Sequence, residues 1–168
     1  MIMTKYLLAF SFGILVNNLI AHEALHVTKE AGIVYPIFGV KIVEKISSEQ
    51  TSGQYSVIET TTPAGGGPPL HLHLNEDELF YVVEGKYKFY CGDQVIKAET
   101  GSFVFLPKGT PHRFENIGKA KGITINTITP GGFEKFFAEI NQLAKVQQRD
   151  RKKIAQIATK YKLSFIEK

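Results

Sequence analysis

The chain has 168 residues, 43% apolar and 21% charged, which allows one globular domain with a sizeable core and excludes a disordered, fibrous or two-domain chain. A single cysteine, Cys91, excludes an internal disulfide framework and any Cys-rich metal or iron–sulfur site. The formal charge of +4 does not signal nucleic acid: residues 22–140 hold eleven basic and fourteen acidic residues, while residues 141–168 hold eight basic and two acidic, so the excess belongs to a solvated tail.

Residues 1–21 carry one cation, Lys5, and no acid. An apolar run, Tyr6–Val16, follows, then Asn17-Asn18 and Leu19-Ile20-Ala21, the order of a secretory signal cleaved after Ala21. The run falls short of the roughly 20 apolar residues of a membrane span. The expectation is therefore an exported chain, periplasmic or extracellular, with no membrane contact in its mature form. His22-Glu23-Ala24-Leu25-His26 matches the H-E-x-x-H pattern of zinc proteases, but at a fresh chain end without a nearby third ligand it reads as a chance match. Residues 22–36 read as a linker or N-terminal segment.

From residue 37 to 129, short β-branched and aromatic runs alternate with Gly, Pro, Asn and Asp, as in a sandwich or barrel. The expected strands are Ile37–Ile46, Gln54–Thr62, His71–Leu74, Leu79–Glu84, Lys86–Cys91, Gln94–Ala98, Ser102–Leu106, His112–Asn116 and Gly122–Thr129. In Lys86–Cys91 the inward set is Tyr87, Phe89 and Cys91, which makes Cys91 a small core residue. Phe103 and Phe105 share a face and are expected to fill the core. Residues 130–168 form a helical tail: Phe133, Phe136, Phe137, Ile140 and Leu143 recur at three and four residues, and Ile154, Ile157 and Ala158 repeat the pattern behind an Asp150 N-cap. Leu163-Ser164-Phe165 is a short docked strand or a tail.

The chemistry lies between Gly65 and Asn116. His71 and His73, at i and i+2 of a strand, point to the same side. A turn through Asn75–Asp77 returns the chain at Glu78, and Pro107-Lys108-Gly109 brings His112 in from a distant strand. Three imidazoles and a carboxylate converging in a barrel suit one divalent first-row transition metal, Fe, Mn, Ni, Cu or Zn, with positions left for substrate. Glu76 and Asp77 read as a solvated turn, and strand parity points Arg113 away from His112, as a surface residue.

These two segments resemble the paired motifs of the cupin superfamily. In the first, Gly65, His71, His73, Glu78 and Gly85 match; in the second, Gly101, Pro107, Gly109, His112 and Asn116. The resemblance implies an all-β jelly-roll barrel with a C-terminal helical extension, and His71, His73, Glu78 and His112 as metal ligands. The glycines, Pro107 and Asn116 are then framework, and the protein a homodimer formed by edge-strand pairing. The wider chain is similar to single-domain quercetin 2,3-dioxygenase-like cupins through Thr51–Tyr55, Gly67–Leu70, Glu76–Tyr81 and Pro130–Glu134, with Lys162 where Gly is expected in such tails. That likeness implies a dioxygenase acting on a small enol- or flavonol-like substrate, with Glu78 both ligand and general base and with Tyr81, Tyr87, Phe89, Phe103, Phe105 and Phe114 as candidate walls. The same four ligands also serve isomerase, decarboxylase or lyase chemistry, and a non-catalytic ligand-binding barrel.

Overall fold

A computed structural model describes residues 24–145 and 150–166. The export signal read in residues 1–21 lies outside them, as do His22 and Glu23. Ala24–Thr28, which include the described part of the H-E-x-x-H match, have no regular structure.

Among the described residues eleven strands form two antiparallel sheets: β1 (Ile33–Ile37), β2 (Val40–Ile46), β3 (Ser56–Thr62), β4 (His71–His73), β5 (Asp77–Glu84), β6 (Lys86–Cys91), β7 (Gln94–Glu99), β8 (Phe103–Leu106), β9 (His112–Asn116), β10 (Gly122–Thr129) and β11 (Leu163–Phe165). One sheet runs β1-β2-β3-β10-β5-β8 and the other β11-β4-β9-β6-β7, the crossing pattern of a jelly roll. Strict alternation of buried and partly exposed residues along β3, β9 and β10 shows each strand presenting one side to the interior.

Two expectations are corrected. The strand expected over Ile37–Ile46 is a hairpin, because Phe38 and Gly39 both take positive φ (52° and 77°) and turn the chain between β1 and β2. Phe103 and Phe105 are 68% and 57% exposed, while Val104 and Leu106 face the core. The parity of β8 is opposite to that expected, and as a sheet edge it leaves its outer face uncovered. Cys91 is buried, as expected of a small core residue.

The interior divides into two clusters. Phe80, Val82, Tyr87, Phe89, Leu106 and Phe114 pack between the sheets at one end. At the other, Ile42, Ile58 and Ile128 meet Phe133 and, from α1 (Glu134–Lys145), Phe136, Phe137 and Ile140. The apolar stripe of α1 thus closes that end of the barrel. Its fully buried aromatics are each worth about 3–5 kcal/mol against truncation to Ala. The second helix, α2 (Arg151–Lys160), starts on Asp150, whose side chain accepts from the Lys152 amide.

After α2 the chain turns at Lys162, which adopts φ +56° in the place a Gly would fill without strain. The chain holds this turn with a side-chain-bearing residue at its left-handed position. It delivers β11 as a docked strand that pairs with β4, Leu163 opposite His73 and Phe165 opposite His71. No helix among the described residues is long and apolar enough to cross a membrane.

Candidate metal centre

The two histidine strands, β4 and β9, are set against each other at two glycines. Before β4, Gly67 passes so close to β9 that a Cβ there would sit 2.0 Å from the Phe114 carbonyl. After β8, Gly109 at φ +75° donates its amide to the His73 carbonyl (2.7 Å), which ties the two motif segments together. On this frame His71 stands directly opposite His112 in the β4–β9 ladder.

The three imidazoles form a tight triangle, with ring centroids 4.6 Å (His71–His112), 5.1 Å (His71–His73) and 5.5 Å (His73–His112) apart. Glu78 joins them from β5 on the opposite sheet, its Oε2 2.9 Å from His112 Nε2 and 3.9 Å from His73 Nε2. One donor atom from each of the four lies within 4.8 Å of the others. The structure therefore brings together every residue expected as a ligand.

The donor set fits a metal ion for a specific reason. His71 Nδ1 donates to the Pro69 carbonyl (2.8 Å), and His112 Nδ1 to the Thr110 carbonyl (2.8 Å). His73 Nδ1 faces the Glu76 carboxylate at 3.3 Å. Carbonyls only accept, so the proton sits on Nδ1 and the Nε2 atoms are directed to a common point. Burial, and next the neighbouring His73, hold His71 down to about 4, so it is a neutral donor at neutral pH. Burial alone would raise Glu78, but His73 and His112 outweigh it and hold the carboxyl at about 2. Burial opposes a charge on His112 too, yet the Glu78 carboxylate raises its pKa.

The four groups line one cavity of about 80 Å3. Facing them are Phe133, Phe136 and Phe137, with Phe38 and Phe165 beyond. The Phe133 ring meets His73 edge-on at 4.3 Å. Of the aromatics expected as walls, only Phe114 lines the cavity. Tyr87 and Phe89 are fully buried elsewhere in the core, and Tyr81 packs on the exposed Phe103. Arg113 is turned outward, as parity required, over the Tyr90 ring (3.9 Å) and beside Glu115.

Sequence reasoning missed three participants. Glu76 is not in a solvated turn: it is 6% exposed and bonded to His73, since the tight turn after β4 folds it back beneath the imidazole. Its i+3 spacing from His73 was the available signal. Asn126 on β10 donates to Glu78 Oε1 (2.7 Å), and only strand pairing brings it there. The cavity role of the α1 aromatics was likewise hidden, because their spacing signals only a buried helix face.

Residues 58–127 match the family model described as "Cupin domain". The chain is 26% identical over 93 residues to an uncharacterized protein of Methanocaldococcus jannaschii, covering 55% of this chain and 69% of that one. It is 29% identical over 91 residues to quercetin 2,3-dioxygenase of Bacillus subtilis, covering 54% of this chain but only 27% of that protein. A solved structure described as a predicted oxalate decarboxylase from Thermotoga maritima superposes with TM-score 0.58 at 20% identity, over 63% of this chain and 99% of that one. This last likeness is one of fold.

Proposed function

Because the chain carries a cupin domain, we propose that it is a metal-dependent enzyme, an oxidoreductase of the quercetin 2,3-dioxygenase-like type acting on a small enol- or flavonol-like substrate. The observation that carries this reading is a contrast within one cavity. Four ligand-type groups meet at one side, the rest of the wall is dominated by aromatic and aliphatic side chains, and no Lys or Arg is among the lining residues.

A divalent Fe, Mn, Ni, Cu or Zn ion held by His71, His73, Glu78 and His112 would polarise a substrate oxygen and, if redox-active, exchange electrons with the bound reactants. The chain's own side chains do the rest. Phe133, Phe136 and Phe137 exclude water and offer faces and edges to a flat conjugated ring. Glu78 is the one carboxylate among the lining residues, so it is the group that takes the proton of an enolic hydroxyl.

Decarboxylase or isomerase chemistry on a small acid is less well served. The bound ion would be the one cation offered to a carboxylate substrate, since no Lys or Arg lines the cavity and Arg113 lies outside it. The test is oxygen uptake by protein loaded in turn with Fe(II), Mn(II), Ni(II) or Cu(II) and supplied with a flavonol. Uptake with at least one ion is expected. No uptake with any of them removes the dioxygenase reading, and carbon dioxide release from a dicarboxylate without oxygen would replace it. Anaerobic binding with no turnover on admitting air would point to a ligand-binding barrel.

A further inference from the structure

Asn126 lies on β10 between β3 and β5, points into the barrel and is 2% exposed. Its Nδ2 is 2.7 Å from Glu78 Oε1. The orientation of the amide is fixed by chemistry: an ionised carboxylate only accepts, so the nitrogen must face it. The two oxygens of Glu78 therefore have separate partners. Oε2 faces the imidazoles, 2.9 Å from His112 Nε2, while Oε1 is turned away to Asn126. The other end of the amide, Oδ1, is buried with no hydrogen-bond partner among the described residues. A buried acceptor left in that state is costly, so the amide is poorly explained as a filler of core volume. Leu would fill the same space without the orphan.

We infer that Asn126 is a positioning residue of the metal centre, holding Glu78 so that it offers Oε2 alone to the ion and keeping Oε1 from joining it. This rests on the proposed metal-dependent function. The carboxylate it steadies comes from one sheet, and two of the histidine ligands, His71 and His73, come from a three-residue strand of the other. Asn126 and Glu78 stand on neighbouring strands of one sheet, β10 and β5, so the amide fixes the carboxylate against its own sheet while the imidazoles approach it from the other.

The experiment is a chelator-competition titration of the purified protein with Co(II), comparing wild type with Asn126→Leu, which keeps the volume and removes the donor. Asn126→Leu is expected to bind Co(II) about 10–100-fold more weakly and to shift the visible absorption of the Co(II) form, because Oε1 is released. In a Glu78→Ala background the same substitution is expected to change affinity by less than about twofold. Thr124→Val, which removes a neighbouring buried hydroxyl with no contact to Glu78, is expected to leave affinity and spectrum unchanged. If Asn126→Leu does not fold, Asn126→Ala, which also removes the donor, carries the same comparison. Wild-type affinity and spectrum in the Asn126 variant, or an equal loss with and without Glu78, overturn this inference alone. Failure of the wild type to bind Co(II) overturns the metal-dependent function and this inference with it.

Discussion

Glu134, at the first turn of α1, accepts hydrogen bonds from both the amide (3.0 Å) and the hydroxyl of Ser48, which precedes it by 86 residues. The Gly132 amide donates to its second oxygen (2.8 Å). This buried carboxylate fastens the helix that carries Phe136 and Phe137 onto the barrel, and so fixes one wall of the cavity. Burial would raise the Glu134 pKa, but the Ser48 donors and the backbone amides outweigh it and hold it below the ordinary carboxylate value. A depressed folded-state pKa gives stability that is present above the unfolded value, about 4.3, and lost as pH falls through the folded one. Glu134→Gln is expected to cost about 1–3 kcal/mol at neutral pH, the gap to wild type shrinking in acid. Urea unfolding across that range checks it; a gap independent of pH would contradict it.

Lys162 offers the opposite case, a position where the protein is less stable than its fold allows. Its φ of +56° is strained for a side-chain-bearing residue. Its carbonyl accepts from the Leu74 amide (3.0 Å), so the turn cannot relax without disturbing the end of β4. Lys162→Gly is expected to stabilise by about 0.5–1 kcal/mol, the relief of strain exceeding the added freedom of the unfolded chain. Thermal melting measures it directly.

Phe38 stands at the tip of the β1–β2 hairpin, 43% exposed, its ring stacked near Phe136 (6.4 Å, 21°) and edge-on to Phe165 (6.4 Å, 72°). It lines the cavity without being part of the buried core. Phe38→Ala is expected to cost about 0.5–1.5 kcal/mol of stability. It should raise KM for a conjugated aromatic substrate several-fold with little change in kcat, the pattern of a lost binding wall. A fall in kcat with KM unchanged would place Phe38 closer to the reacting atoms than the cavity does.

Export is the reading of residues 1–21, and it has a single sharp consequence. Mass spectrometry of the protein recovered from outside the cytoplasm should find His22 as the first residue. Recovery of the full-length chain from the cytoplasm would contradict it.

Most strands and the convergence of His71, His73, Glu78 and His112 were legible because β-strand parity and turn chemistry act locally. His71 and His73 at i and i+2, and Pro107-Lys108-Gly109 before His112, carry their geometry in their spacing. Parity failed at β8, where an edge strand with a bulky outer face gave Phe103 and Phe105 the look of core. It failed also at Phe38-Gly39, where a two-residue turn hid inside a continuous apolar run. Asn126 was illegible for another reason: a long-range strand pairing places it and leaves no pattern in the neighbouring residues, whereas Glu76 left only its i+3 spacing from His73 across a tight turn. The α1 aromatics showed which face is buried, but not that a cavity lies beneath it.

Metal binding should also respond to pH in a set direction. The Glu78 carboxylate raises the His112 pKa against the opposing effect of burial, and a ligating imidazole must be free of its Nε2 proton. Affinity is thus expected to weaken as pH falls through the raised His112 value, with proton release on binding. The metal-bound form should gain thermal stability over the form stripped by chelator, by about 2.7 kcal/mol at a free metal concentration 100 times Kd.

The most direct measurement is elemental analysis of the protein purified from its own compartment, beside a His112→Ala variant prepared in the same way. The account predicts about one equivalent of a divalent first-row transition metal per chain in the wild type and almost none in the variant. Wild type without metal, or with a metal content that His112→Ala leaves unchanged, would contradict it.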